Sequence, residues 1–203
     1  EKNKVIVAIV DCTGHGVPGA FMSMIGNSLL NKIIIENKTE NSAEILNKLR
    51  AGVIKALSTP GKETEQRDGM DISLFIWNKN TNKLDFAGAN NPLWIVTKNE
   101  NSSHISDFKK SVYHMNDRTL IELKPNKFPI GRYVGELKPF DSISYQLSIG
   151  DSIYIATDGY ADQFGGEKNK KYKYKTLKTF ITSINDLPFN QQYDQLDTEF
   201  TNW

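Results

Sequence analysis

The sequence predicts an α+β fold in which two antiparallel β-sheets pack face to face as a sandwich, with helices on the outer faces. Two observations predict it. The apolar pattern runs in the order strand, two helices, several strands in succession, and then helices again. The central strands are short and joined by short polar turns, which is typical of antiparallel sheets. Amphipathic helices bury their apolar side by covering such sheets.

The first part of the chain predicts one strand followed by two helices. Residues 5–10 form an apolar, β-branched run, which is typical of a strand buried on both faces. Asn41 followed by Glu44 resembles a capping box and predicts a second helix over about 42–58. The first helix is predicted after a glycine-rich turn, because apolar residues recur there at helical spacing. These residues are Val17, Ala20, Phe21, Met24, Ile25, Leu29 and Ile33.

The middle of the chain predicts a run of strands. Residues 72–77 and 83–87 flank a polar turn and predict a β-hairpin, which residues 93–96 continue. Residues 62–68 and 98–118 are charged or polar and predict loops. Further strands are expected at 120–123, 142–147 and 152–157, and helices from about 174 onward.

The composition fits one soluble globular domain over residues 1–203 and excludes several functions. A formal net charge of +1 gives no overall attraction to nucleic acid or to an anionic membrane. The lone Cys12 excludes a disulfide within the chain and favours the reducing cytoplasm. No apolar stretch approaches the roughly 20 residues of a membrane span, so no membrane insertion is expected. The chain begins without methionine and enters a strand almost at once, so we expect a fragment of a longer protein.

Two aspartates occupy similar places in the sequence. Asp11 and Asp158 each follow an apolar strand and precede a turn that contains glycine. Carboxylates at strand ends often hold hard divalent cations, and oxygen ligands suit magnesium or manganese better than zinc. Each aspartate could instead cap a turn or the following helix. On spacing alone, the capping interpretation is favoured.

Four sequence blocks change that balance. Together they cover roughly residues 5–165, in a fixed order. The ordered set resembles the SpoIIE-type phosphatases, a bacterial branch of the metal-dependent, protein phosphatase 2C-like (PPM) superfamily of serine/threonine phosphatases. The blocks are Asp11 to Ala20 with its Gly-His-Gly, Ala87 to Leu93, Phe128 to Gly131, and Ile153 to Gly159 with Asp162 three residues later.

The resemblance implies a PP2C-like α-β-β-α fold and hydrolysis of phosphoserine or phosphothreonine on a protein. In that family two manganese or magnesium ions activate the attacking water. The resemblance implies that Asp11 bridges both ions, that the backbone carbonyl of Cys12 binds the second, and that Asp158 binds the first. Asp11 and Asp158 are thus the candidate catalytic residues, acting through the activated water. Residues expected next to these ligands are Gly14, His15, Asp71, Gly159 and Asp162.

Two further ligands of the family have no counterpart in the chain. One belongs to a Gly-Gly-Asp block before the first strand, and the other to an Asp-Asp block after the last helix. The resemblance therefore implies a domain truncated at both ends, which we expect to hold metal weakly or not at all and to be impaired as an enzyme. The resemblance also implies a phosphorylated anti-sigma-factor antagonist as substrate, and a cytoplasmic signalling parent protein with an upstream sensor domain that regulates a sigma factor. That parent could be linked to a membrane.

Several residues allow two interpretations. His15 is a candidate general acid. However, the histidine of eukaryotic relatives stands where this chain has Thr13, so a role in packing the turn is favoured. Asp71 could reach a metal-bound water, but an aspartate that closes a turn is favoured. Residues 168–175 alternate lysines with tyrosines and could contact nucleic acid, although a solvated loop is favoured.

The sequence also bears on three other functions. Residues 14–19 match the G-x-G-x-x-G pattern of dinucleotide-binding domains. That reading requires residues 33–36 to form a strand, where the helical period continues. A cysteine-dependent phosphatase requires an arginine six residues after Cys12, where Pro18 stands. A non-catalytic domain that only docks partners stays open, although the presence of both aspartates argues against a decayed site.

Overall fold

A computed structural model describes residues 3–58, 68–98, 105–115, 117–136 and 138–203. The first strands are β1 (Lys4–Cys12), β2 (Gly69–Asn78), β3 (Lys83–Ala89), β4 (Leu93–Thr97), β5 (Lys110–Met115) and β6 (Arg118–Leu123). The others are β7 (Ile130–Gly131), β8 (Ile143–Gln146), β9 (Ser152–Ile155), β10 (Phe164–Gly165) and β11 (Lys170–Lys171). The helices are α1 (Gly16–Asn31), α2 (Ser42–Leu57), α3 (Gly159–Asp162), α4 (Tyr174–Ser183) and α5 (Phe189–Asn202).

The strands form two antiparallel sheets and one short hairpin. The first sheet has the order β1-β2-β3-β8, with β7 paired to the start of β2. The second has the order β5-β6-β4-β9, and β10 pairs with β11. Both β1 and β9 therefore lie at an edge of their sheet. This arrangement places the ends of these two strands where a site between the sheets could form.

The two sheets pack face to face through a continuous apolar core. Side chains alternate along a strand, so Phe75 of β2 and Ile95 of β4 point into this core while their neighbours point out. Adding apolar area to this core stabilises the sandwich by about 25 cal/mol for each Å² removed from water. The largest buried members are Phe75, Leu84, Phe86, Leu93, Ile95, Ile121, Leu123, Ile143 and Tyr145.

The helices cover the outer faces of both sheets. Ile72 and Leu74 of β2 pack with Ile45 and Leu49 of α2 in a second core. On the other side, Trp94 of β4 packs in a third core with residues of α3 and α4. The predicted α+β sandwich with outer helices is thus confirmed, in the layer order helix, sheet, sheet, helix.

The two predicted N-terminal helices are present. The side chain of Asn41 accepts a hydrogen bond from the backbone N–H of Glu44 at 2.9 Å, so the predicted cap of α2 forms. Helix α1 continues into a π-helical turn, Lys32–Glu36. Ile33 is buried within that turn. Because residues 33–36 are helical, the second parallel strand of a dinucleotide-binding domain does not exist.

The apolar face predicted for α1 is only partly buried. Met22 and Gly26 are buried, and Ile25 and Leu29 pack against the core. In contrast, Val17, Phe21 and Met24 form a second stripe with exposures of 68%, 60% and 67%. The spacing that defines a helix repeats every three to four residues on any side, so it could not tell these two stripes apart.

Strand β1 corrects the expectation of a strand buried on both faces. All of its residues, Lys4–Cys12, are only partly buried. Among the described strands it pairs with β2 alone. Val7 faces the core between the sheets, and Ile6 and Val10 face the helices. Both faces of β1 therefore carry apolar residues, as the sequence predicts. Such a pattern does not distinguish an edge strand from a central one.

The predicted loop at 98–118 is wrong in its second half, because residues 110–115 form β5 and pair with β6. This strand lies at the edge of its sheet, and Tyr113 and His114 on it are exposed. Its sequence therefore lacks the apolar alternation of a core strand. Of the charged stretch 62–68, all but Asp68 lies outside the described residues. None of the helices in the described ranges has the length and apolar character needed to cross a membrane.

Candidate functional site

Asp11 and Asp158 come from different sheets and meet. Asp11 lies near the end of β1, and Asp158 lies three residues beyond the end of β9. Their carboxyl groups are within hydrogen-bonding reach of each other. Burial raises the pKa of Asp11, and the negative charge of Asp158 raises it further. Two acidic groups that are distant in sequence are thus held together where an edge of each sheet comes close.

Asp71 is a third acidic residue at this place. It lies within β2, directly opposite Asp11 in the antiparallel register. Asn90 Nδ2 donates to Asp71 Oδ1 at 2.8 Å. Burial raises the pKa of Asp71, and the charges of Asp11 and Asp158 add to this effect, while the bond from Asn90 opposes it. The interpretation of Asp71 as a residue that closes a turn is wrong, because β2 already begins at Gly69.

The loop after Asp11 is fixed to the neighbouring strand. Thr13 donates its backbone N–H to the carbonyl of Gly69 at 3.0 Å, and its Oγ1 accepts from the Gly69 N–H at 2.9 Å. Gly14 has φ +89°, a region that favours glycine. A Cβ at Gly19 would lie 2.9 Å from the Gly14 carbonyl oxygen, so the loop packs tightly on α1. These contacts define where the backbone carbonyl of Cys12 lies.

Neither aspartate acts as a helix cap. Asp11 belongs to β1, and Asp158 precedes α3 without a side-chain capping hydrogen bond. His15 precedes α1, also without a capping bond, and its side chain is exposed. Asp162 is exposed and accepts from Lys171 Nζ at 2.7 Å. Of the candidates, Asp11, Asp71 and Asp158 therefore gather in one group, whereas His15 and Asp162 point to the surface.

The donor chemistry of this group fits a hard divalent cation. Two adjoining carboxylates and the carbonyl of Cys12 are oxygen donors, which magnesium and manganese prefer. Within the described ranges, however, no three His, Cys, Asp or Glu side chains are arranged to hold a metal ion. Asp71 is close enough to influence the charge of the other two but is not in a shared ligand geometry with them.

Two residues of the site did not emerge from the sequence. Asn90 holds Asp71, and its φ of +59° is a conformation that asparagine tolerates better than most residues, which was a usable signal. Tyr174, the first residue of α4, is partly buried beside the acidic group. Burial raises its pKa to about 12, with contributions from the charges of Asp158, Asp162, Asp71 and Asp11. Nothing local in the sequence marks this tyrosine.

The basic stretch around 168–175 does not form an aromatic platform for nucleic acid. Tyr172 is buried and packs edge-on against Trp203. Tyr174 packs edge-on against Trp94. The neighbouring Lys171 and Lys173 are exposed. The stretch is thus a solvated surface with its tyrosines turned into the third core.

The family model described as "Stage II sporulation protein E (SpoIIE)" matches residues 1–202. The chain belongs to the SpoIIE family. The four ordered blocks had already indicated this family. The SpoIIE match covers both sheets and all the described helices, including the acidic group at their edges. A comparison with curated proteins found no match.

Solved structures show that this SpoIIE chain has the PP2C-like phosphatase fold. The SiaA-PP2C domain of Pseudomonas aeruginosa matches with a TM-score of 0.79 and 23% identity, over 99% of this chain and 70% of that domain. The PP2C phosphatase domain and regulatory-domain fragment of the cell fate determinant SpoIIE from Bacillus subtilis match at 0.64 and 18%, over 98% and 49% of the two chains. The RsbU and RsbW domains of Rv1364c from Mycobacterium tuberculosis match at 0.61 and 16%, over 98% and 47%.

These likenesses establish the fold of the SpoIIE chain. The chain spans about half the length of the Bacillus and Mycobacterium structures, at 49% and 47%. By family it is a SpoIIE domain, and its fold is that of the PP2C-type domains.

Proposed function

We propose that this domain hydrolyses phosphoserine or phosphothreonine on a protein with the help of manganese or magnesium. One observation carries the proposal. Asp11 and Asp158, which correspond to family ligand positions, bring their carboxyl groups together from the edges of two different sheets. Acidic groups that repel each other are costly to place side by side, and a bound cation would offset this cost.

The residues of the site have different proposed roles. Asp11, Asp158 and the carbonyl of Cys12 would hold a cation. Bound divalent cations supply a Lewis acid that activates water and a positive charge that neutralises phosphoryl oxygens. The bonds between Thr13 and Gly69 keep the Cys12 carbonyl in place.

Asp71 would accept a proton or a hydrogen bond at the same place. Its Oδ1 already accepts from Asn90, which orients the carboxyl group. Burial raises the pKa of Asp71, so this carboxyl takes up a proton more readily than an exposed aspartate does.

The substrate we propose is a phosphorylated regulatory protein of the anti-sigma-factor antagonist type. Membership of the SpoIIE family supports this. The Bacillus structure that shares the fold includes a fragment of a regulatory domain. We also propose a cytoplasmic signalling role under an upstream sensor domain, which the same family membership supports.

Release of phosphate from a phosphoserine protein tests the proposal. We expect slow release that requires manganese or magnesium and stops in the presence of a chelator. Asp11→Asn and Asp158→Asn should each abolish it, while Asp194→Asn on the exposed side of α5 should leave it unchanged. Release that survives both site substitutions, or that continues in chelator, would refute the assignment.

A second candidate function rests on the small number of ligands. Since the described residues hold no group of three acidic, histidine or cysteine side chains arranged for a metal, a domain that only docks partners is the alternative. Such a domain would release no phosphate at any concentration of manganese. It would still bind the phosphorylated protein, and both aspartate variants would bind it equally well.

A further inference from the structure

A basic cleft lies beside the acidic group. Its volume is about 320 Å³. The residues that matter for its chemistry are Asn90, Glu122, Lys124, Lys127, Tyr174 and Lys178.

The cleft and the candidate site share two walls. Asn90 lines the cleft and also donates to Asp71 at 2.8 Å. Tyr174 lines the cleft and is also close enough to Asp158 and Asp11 for their charges to act on it. A chain that places a phosphorylated side chain at the aspartates would therefore pass its neighbouring residues into the cleft.

One of the three lysines, Lys178, already forms an ion pair within the cleft. Lys178 Nζ lies 2.5 Å from Glu122, and both side chains are mostly buried, with exposures of 10% and 16%. The same ammonium lies over the rings of Trp94 and Tyr113. The pair of Lys178 and Glu122 thus forms a mostly buried, nearly neutral floor of the cleft.

The other two lysines keep their positive charge. Lys124 Nζ donates to the backbone carbonyl of Asp107 at 3.0 Å, which leaves its charge uncompensated. Lys127 is exposed, and among the described residues neither lysine forms an ion pair. The rim of the cleft therefore carries two free cations directly next to a group of three carboxylates.

We propose that this cleft binds an acidic segment of the phosphoprotein substrate, with aspartate or glutamate side chains next to the phosphorylated residue. The proposal rests on the proposed function of the adjoining site. Lys124 and Lys127 attract the carboxylates, while the floor of Lys178 and Glu122 stays closed to them. Pro92 and Pro125 add apolar surface to the walls and, as prolines, offer no backbone N–H to the segment.

Paired peptides test this specificity. One phosphoserine peptide carries flanking aspartates, and its control carries asparagines of the same shape. We expect kcat/KM for the acidic peptide to be about tenfold higher, because two exposed ion pairs contribute a factor of this size. The advantage should shrink at high salt, which screens exposed charges.

A double variant identifies the lysines. Lys124→Ala with Lys127→Ala should lower kcat/KM for the acidic peptide to that of the control peptide. Hydrolysis of p-nitrophenyl phosphate, which has no flanking segment, should stay unchanged. The matched control is Lys79→Ala with Lys83→Ala, because both lysines are exposed at the far end of the first sheet. Equal rates for the two peptides, or an equal loss in the control variant, would overturn the proposal.

Binding of the unphosphorylated acidic peptide, followed by fluorescence anisotropy, separates the two proposals. If no phosphate ester is hydrolysed but the peptide binds through Lys124 and Lys127, the cleft is confirmed and the phosphatase assignment fails. If p-nitrophenyl phosphate is hydrolysed while the acidic and neutral peptides bind equally, the cleft proposal fails alone. Absence of both hydrolysis and binding would overturn both.

Discussion

Asp11 on β1 lies directly opposite Asp71 on β2, so two carboxyl groups are cross-strand neighbours at one end of the first sheet. Like charges in this position normally destabilise a sheet. The charge of Asp158 adds to both. The fold thus keeps an unfavourable charge arrangement, which is expected where a cation is to be bound.

The first prediction concerns the stability cost of this arrangement. In the presence of a chelator, Asp71→Asn should stabilise the protein by about 0.5 kcal/mol, since it removes one like charge from a cross-strand pair. The asparagine oxygen can still accept from Asn90, so the hydrogen bond is kept. Thermal unfolding with chelator measures the effect, with Asp194→Asn as the control. An unchanged or lowered melting temperature would contradict it.

The stabilisation expected from Asp71→Asn should depend on pH in a definite direction. The pKa of Asp71 is raised in the folded protein, so the folded state holds its proton more strongly than the unfolded state does. Stability is therefore lost as the pH rises through the raised pKa. The gain from Asp71→Asn should be present at neutral pH and vanish in acid, where both states are protonated. A gain that grows toward low pH would contradict this.

The second prediction concerns the loop that carries the Cys12 carbonyl. Gly14→Ala should destabilise the protein by about 1 kcal/mol, because φ +89° strains any residue with a Cβ. It should also weaken manganese binding, since the carbonyl of Cys12 moves with the loop. Gly159→Ala is the control for folding stability alone, since Gly159 adjoins Asp158: an added Cβ there meets only Thr157 Oγ1 at an ordinary 3.8 Å. Denaturant unfolding measures both variants, and equal effects would argue against a strained loop.

The third prediction concerns Tyr174. Burial, followed by the nearby aspartates, raises its pKa to about 12. The phenol therefore stays protonated at neutral pH, and the stability it contributes is lost only as the pH rises from about 10 toward 12. The difference in tyrosinate absorbance between the wild type and Tyr174→Phe should show a midpoint near 12. A midpoint near 10 would place this tyrosine away from the acidic group.

Much of the fold follows from local pattern. The alternation of residues 72–77 and 93–96 predicts strands, and the structure confirms them in β2 and β4. The pair of Asn41 and Glu44 marks the start of α2. Strand β5 was not predicted, because it lies at a sheet edge, where polar residues replace the apolar alternation. Whether a strand lies at an edge depends on the strand order of the whole sheet, so the sequence of one short segment does not show it.

The candidate site was only partly accessible from the sequence. Spacing alone favoured caps for Asp11 and Asp158, and only the four ordered blocks pointed to a shared site. The contact between these two aspartates depends on how the two sheets pack, which no local pattern encodes. The same holds for Tyr174, which reaches the site from α4. The turn at Asn90 could have been predicted, since asparagine tolerates the left-handed conformation and Asn-Pro follows it.

Titration calorimetry with manganese shows whether Asp11 and Asp158 together hold the cation. The two carboxylates and one carbonyl offer few of the oxygens that an octahedral ion needs. We therefore predict no more than one weakly bound ion per chain, and loss of its binding heat in both Asp11→Asn and Asp158→Asn. Two tightly bound ions would show that other ligands take part, and binding that persists in both variants would show that Asp11 and Asp158 do not hold the cation.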